Sequence, residues 1–154
     1  MRNKILSLLF LSIVAFITVP IVEAQTSEKY GLTKRINPKT GAEYPCSETV
    51  EISFSGNSII FSKSSIGNGF WSQQYGVFSN YQNGNKIYSA RVRGNSMLGG
   101  VFDKKDDCDV GGAYYVVSPD NLIVNKVCLD NVGQPSYIYV YRKANTNAIE
   151  QIYR

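Results

Sequence analysis

Histidine is absent from all 154 residues. That removes Ser-His-Asp and Cys-His nucleophile pairs and histidine-ligated metal sites together. No Ser-x-x-Lys occurs either, so a serine–lysine nucleophile at helical spacing is excluded. Charge of one sign is also scarce. The formal net charge is +4, whereas nucleic-acid-binding domains concentrate far more positive charge on one face. Nucleic acid is therefore not an expected partner. Beyond the first two dozen residues no apolar run is long enough to cross a bilayer as a helix. No third glycine follows Gly67-Asn68-Gly69, and no strand-to-helix pattern surrounds it, so a dinucleotide fingerprint is excluded. No cofactor is expected.

What is present begins with Arg2 and Lys4, then an apolar run from Ile5 to Val22 and the exit Val22-Glu23-Ala24. A basic start, an apolar middle and a small-residue exit describe an export signal over residues 1–24. The other reading is an uncleaved anchor. Pro20 and the polar Ser7, Ser12 and Thr18 inside the run speak against it. The expected location is secreted or periplasmic. Export permits a disulfide, and three cysteines allow one bridge and one leftover thiol. Cys108 and Cys128 flank a central hairpin at nearly mirrored distances and form the favoured pair, with Cys46–Cys128 as the alternative. The odd thiol is expected to act as a small buried hydrophobe.

Residues 25–47 contain few apolar side chains and the breakers Gly31, Pro38, Gly41 and Pro45, and they read as an extended leader. The folded domain is expected over residues 48–154. Val50, Ile52 and Phe54 alternate with polar residues, the period-two pattern of a half-buried strand. Ser55-Gly56-Asn57 returns the chain into Ser58–Lys63. A third strand spans Phe70–Ser79. Asn83-Gly84 supplies the positive φ of a tight hairpin leading into Lys86–Arg93. Met97–Phe102 is a fifth strand, bent at Gly99-Gly100. Ala113–Leu129 forms the clearest hairpin, turning at Pro119-Asp120-Asn121. Tyr137–Arg142 is the eighth strand, and Asn145 caps a short closing helix through Tyr153.

The fold class is thus all-β: an eight-stranded antiparallel up-and-down meander, with a β-sandwich as the competitor. Eight strands is a number at which a sheet closes on itself and loses its edges. In strand count and order, residues 48–142 resemble the calycin-type, lipocalin-like barrels. The Gly-x-Trp of lipocalins is matched in letters by Gly69-Phe70-Trp71, although there it opens the first strand and here it follows two. The resemblance implies a closed barrel. It carries over no ligand-binding residue.

The candidate binding residues are aromatic. Tyr137, Tyr139 and Tyr141 alternate with Ile138 and Val140, placing three rings on one face at about 7 Å intervals. Facing outward they form a ladder suited to a sugar or a protein; facing inward they line or fill a cavity. Plain cross-strand packing is the competing explanation. Trp71, Phe70 and Tyr75 sit beside a Gly/Asn/Ser loop, a combination that suits recognition at a barrel mouth or serves as a core plug. Asp103, Asp106, Asp107 and Asp109 crowd one loop. A calcium site is the sharp reading and a solvated charged loop the favoured one, because Gly111 stands where an EF-hand needs a fifth-position ligand. No metal site is expected, and Glu48 reads as a residue facing water. Lys86, Arg91 and Arg93 read as an ordinary wet strand face.

These features point to a non-enzymatic exported binding protein for a small apolar or amphipathic molecule or a glycan. The alternative is an interaction module, such as an enzyme inhibitor that inserts Ser64–Gly69 or Asp103–Gly112 into a target. A hydrolase working with two carboxylates alone ranks last.

Overall fold

The computed structural model describes residues 26–96, 98–106 and 108–144. The export signal over residues 1–24 and the closing helix over 145–153 lie outside the described residues. The strands are β1 (Ser27–Ile36), β2 (Glu43–Ser55), β3 (Ser58–Phe61), β4 (Ser64–Gly67), β5 (Phe70–Gln82), β6 (Asn85–Asn95), β7 (Val101–Lys105), β8 (Ala113–Val117), β9 (Ile123–Leu129) and β10 (Pro135–Lys143). All pairings among them are antiparallel.

The sheet closes into an eight-stranded barrel, β5-β3-β2-β1-β10-β9-β8-β6, sealed by the β5–β6 pairing. The two remaining strands are halves of broken staves. β3 and β4 share one edge of β5, at Tyr75–Val77 and Phe70–Ser72. β8 and β7 share one edge of β6, at Lys86–Ser89 and Arg91–Asn95. Two expectations are corrected here. Ser27–Ile36, read as part of a leader, is a barrel strand bonded to β2 on one side and β10 on the other. The strand read as Met97–Phe102 overlaps β7 only at Val101 and Phe102, and β7 together with β8, read as the sixth strand, fills a single position in the ring. One strand missed and one counted twice left the total at eight.

Local chemistry fixes the turns. Asn83 and Gly84 both have positive φ, 50° and 80°, as a two-residue hairpin matched to strand twist requires. In the β8–β9 turn, Asp120 Oδ1 accepts from Ser118 Oγ and Leu122 N, and Asn121 adopts φ 58°. Those bonds hold the Asp120 carboxyl below its ordinary range, the Ser118 hydroxyl contributing most.

Alternation decides what enters the barrel. Tyr30, Ile52, Ile59, Phe61, Tyr88, Tyr115, Val117 and Val124 fill one part of the interior and are almost wholly buried. Phe61 anchors this plug, stacked on Tyr115 at 5.0 Å between ring centroids and edge-on to Tyr141 at 5.6 Å. Gly76 is where the plug meets the wall. A Cβ there would fall 2.7 Å from Ile59 Cγ2 and 2.8 Å from atoms of Tyr88 and Tyr115.

Candidate functional site

Toward the rim that carries the β1–β2 and β9–β10 loops, the apolar plug gives way to an open cavity of about 520 Å³. β1 supplies Leu32 and Arg35 to its wall, and β2 supplies Tyr44, Pro45, Cys46 and Glu48. Gln74 enters from β5, Lys126 from β9, and Tyr139 and Tyr141 from β10, with Cys108 at one side. The register explains the set. Arg35 pairs with Tyr139, Tyr139 with Lys126, and Tyr44 with Arg35, so these residues share the inward face of four neighbouring strands.

Lys126 is held by an ion pair inside the barrel, its Nζ 2.6 Å from Asp106 Oδ2, with each side chain only 6% exposed. Its ammonium also donates to Gln74 Oε1 at 3.2 Å, and the Tyr115 hydroxyl donates to the same oxygen at 3.4 Å. Desolvating two charges is costly, and the bond from the ammonium to Gln74 offsets part of that cost. Asp106 reaches the interior because the chain leaves the wall between β7 and β8. Asp106 N donates to Ala90 O at 3.0 Å as the excursion begins. The excursion is fastened by the Cys108–Cys128 disulfide and by Gly111, where a Cβ would lie 1.7 Å from Asp130 O. The favoured cysteine pairing is therefore the one present. Cys46 is the free thiol, half-buried on the cavity wall rather than sealed in the core.

Arg35 has a different setting. Its guanidinium carbon lies 5.0 Å from the Tyr44 ring centroid and 4.7 Å from that of Tyr137, the spacing of a cation stacked on aromatic faces. Its Nε is shielded from water and finds no acceptor among the described residues. Glu48, exposed on the next strand, makes no hydrogen bond or ion pair among the described residues. Burial pushes the Tyr141 phenol well up, and the Glu48 charge adds to the shift. Tyr115 is raised as well, by burial first and by Asp106 next.

The three β10 tyrosines thus face into the barrel. Tyr139 and Tyr141 line the cavity and Tyr137 stacks on Arg35, so no exterior ladder exists for a sugar to lie on. Trp71 and Tyr75 are not brought to the cavity. Lys63 Nζ sits 4.3 Å from the Trp71 ring centroid. Tyr75 donates to Asp103 on the outer wall and accepts from Arg91 Nε at 2.8 Å. The Tyr75 bond holds the Asp103 carboxyl below its usual range, helped by Arg91. Phe70, half-buried, opens β5 opposite Gly67. The aspartates of the β7–β8 region serve separate partners: Asp103 outside, Asp106 inside, and Asp109 accepting from the Ser136 hydroxyl. Among the described residues no three His, Cys, Asp or Glu side chains are grouped to hold a metal ion.

Sequence reading singled out neither Arg35, Gln74 nor Lys126 as site residues. For Lys126 a signal was present, since it shares its strand face with Val124 and Cys128 and so falls in the buried register. For Arg35 there was none, because its strand lacks the apolar alternation that reveals register. Fold and site together define a small closed antiparallel β-barrel, plugged at one part of its interior and open and polar at the other. The chain matches no family model, no curated protein and no solved structure. Among the described residues no helix is long and apolar enough to cross a membrane.

Proposed function

We propose that this protein is an exported, non-enzymatic binding barrel of the calycin-like kind that holds a small amphipathic molecule in its open cavity. The observation that carries the reading is the half-filled interior. The cavity, about 520 Å³, falls within the ordinary size range of ligand pockets. It sets the rings of Tyr139 and Tyr141 and the side chain of Leu32 beside a few charged and amide groups. A largely polar lining that also carries aromatic rings and one leucine suits a molecule with a polar end and an apolar body. The disulfide fits an oxidising compartment, which supports secretion or a periplasmic location.

Cys46 provides the test, because the free thiol lies on the cavity wall. Native mass spectrometry of the purified protein is expected to show a bound small molecule. Its removal is expected to speed Cys46 alkylation by a bulky maleimide, and its return to slow it. A thiol that reacts at one rate under all these conditions, with no adduct of defined mass, would remove the basis for a cavity ligand.

A second reading, a protein-interaction module, is supported by Leu98, Val110 and Val132, three strongly exposed apolar residues on three separate loops. Ser64–Gly69 is less suited to insertion than its sequence suggests, since Ser64–Gly67 is tied into the sheet as β4. Under this reading partner binding leaves Cys46 reactivity unchanged.

A further inference from the structure

Resting on the cavity-ligand reading, we infer that the site selects a carboxylate-bearing monoanionic amphiphile, whose carboxylate pairs with Arg35. Two cations line the cavity, and they are not equivalent. Lys126 is neutralised by Asp106 at 2.6 Å. Among the described residues Arg35 has no carboxylate partner, and its buried Nε has no acceptor. Leaving such a donor unsatisfied costs about 1–3 kcal/mol. What a ligand carboxylate meets is the rest of the guanidinium on the cavity wall, whose positive charge no carboxylate balances among the described residues.

The two rings define the direction of approach. Tyr44 and Tyr137 stack against the guanidinium at 5.0 and 4.7 Å from their centroids. Contact with the rings takes up the guanidinium's neighbourhood without consuming its N–H donors, and its planar fork matches a carboxylate in a two-bond arrangement. Leu32 and Tyr139 continue the wall from Arg35 and receive the apolar body. Glu48 sets the charge limit. Its unpaired carboxylate shares the cavity, so a phosphate dianion meets repulsion that a single carboxylate meets only weakly.

The experiment is isothermal titration calorimetry of the intact protein with octanoate, methyl octanoate and octyl phosphate, with Cys46 alkylation as a parallel readout. Octanoate is expected to bind at least about tenfold more tightly than its methyl ester, since charge-assisted bonds are worth about 1.5–3 kcal/mol. Octyl phosphate is expected to bind more weakly than octanoate. Arg35→Gln keeps a planar polar side chain between the two rings and is expected to bring octanoate down to the level of the ester. Arg35→Lys restores the charge but not the fork and falls between the two.

If neither octanoate nor the ester binds or slows Cys46 alkylation, the cavity reading fails and this inference with it. Should the ester match the acid, the phosphate exceed it, or Arg35→Gln bind octanoate as the parent does, the carboxylate assignment alone is overturned. A matching thermal midpoint for the parent and Arg35→Gln ties any loss of binding to the side chain. If the variant is unfolded, the ester and phosphate comparisons on the parent decide the question.

Discussion

Gly76 shows how tightly a single position is bound to the fold. It stands in the wall of β5, and Ile59, Tyr88 and Tyr115 occupy the space a Cβ would need. Of these, Ile59 and Tyr115 are completely buried. A methyl group placed 2.7–2.8 Å from three core side chains forces them off their rotamers. Gly76→Ala is expected to cost about 1–3 kcal/mol, the usual range for overpacking a filled core. Urea unfolding followed by circular dichroism measures it, with a lowered midpoint and an unchanged slope. Arg35 and Lys126 show the other side of residue-scale reasoning. Both are cations facing the interior, yet among the described residues one is paired with a carboxylate and the other is not, and that difference rests on Asp106 arriving from a distant part of the chain. Nothing in the local sequence of either residue carries that information.

At the scale of elements, legibility followed the contents of the barrel. The β8–β9 hairpin was plain because the plug lies beneath it: Tyr115 and Val117, spaced by two on β8, and Val124 on β9 are apolar and inward. The Asn83-Gly84 turn was equally plain, because its φ values demand those residue types. β1 was not legible. Its inward face carries Tyr30 and Leu32, then a register shift and Arg35. A strand that lines a polar cavity loses the alternation by which strands are recognised. Pro45 and Glu48 obscured the start of β2 in the same way. The β7–β8 break was hidden for another reason, since two pieces of one stave look like two strands until their shared partner β6 is known. That break is held by the disulfide, whose cysteines lie 20 residues apart. A closed loop of this length is worth about 3 kcal/mol of stability in the chain-entropy account. Replacing both Cys108 and Cys128 with serine is expected to lower stability by that order. Hydrogen exchange should then show lost protection first over 106–112, where Asp106 and Gly111 anchor the excursion. Uniform loss across all strands would argue against a local fastening.

For the whole molecule, burial of phenols predicts the response to alkali. Tyr30, Tyr115 and Tyr141 are raised chiefly by burial, Tyr30 to about 12. A raised phenol pKa means that the folded state holds the proton more firmly than the unfolded one. The corresponding stability is complete below pH 10, the ordinary tyrosine value, and is lost as pH climbs from there toward the folded values. Tyr30, Tyr115 and Tyr141 are therefore expected to ionise only as the barrel opens, giving a steep rise in tyrosinate absorbance that coincides with loss of circular dichroism. A single smooth titration of all the tyrosines while the strands persist would contradict the buried positions of these rings.

Closure of the ring has one further result. Ser27 begins β1 and Lys143 ends β10 at the same rim, where Ala144 N donates to Lys29 O at 2.9 Å. Arg35 and Tyr44 belong to the opposite rim, beside the β1–β2 loop. A fusion, tag or tether placed before Ser27 or after Ala144 leaves from the side away from the mouth. The protein can thus be immobilised through either flank with its opening turned toward the surrounding solution.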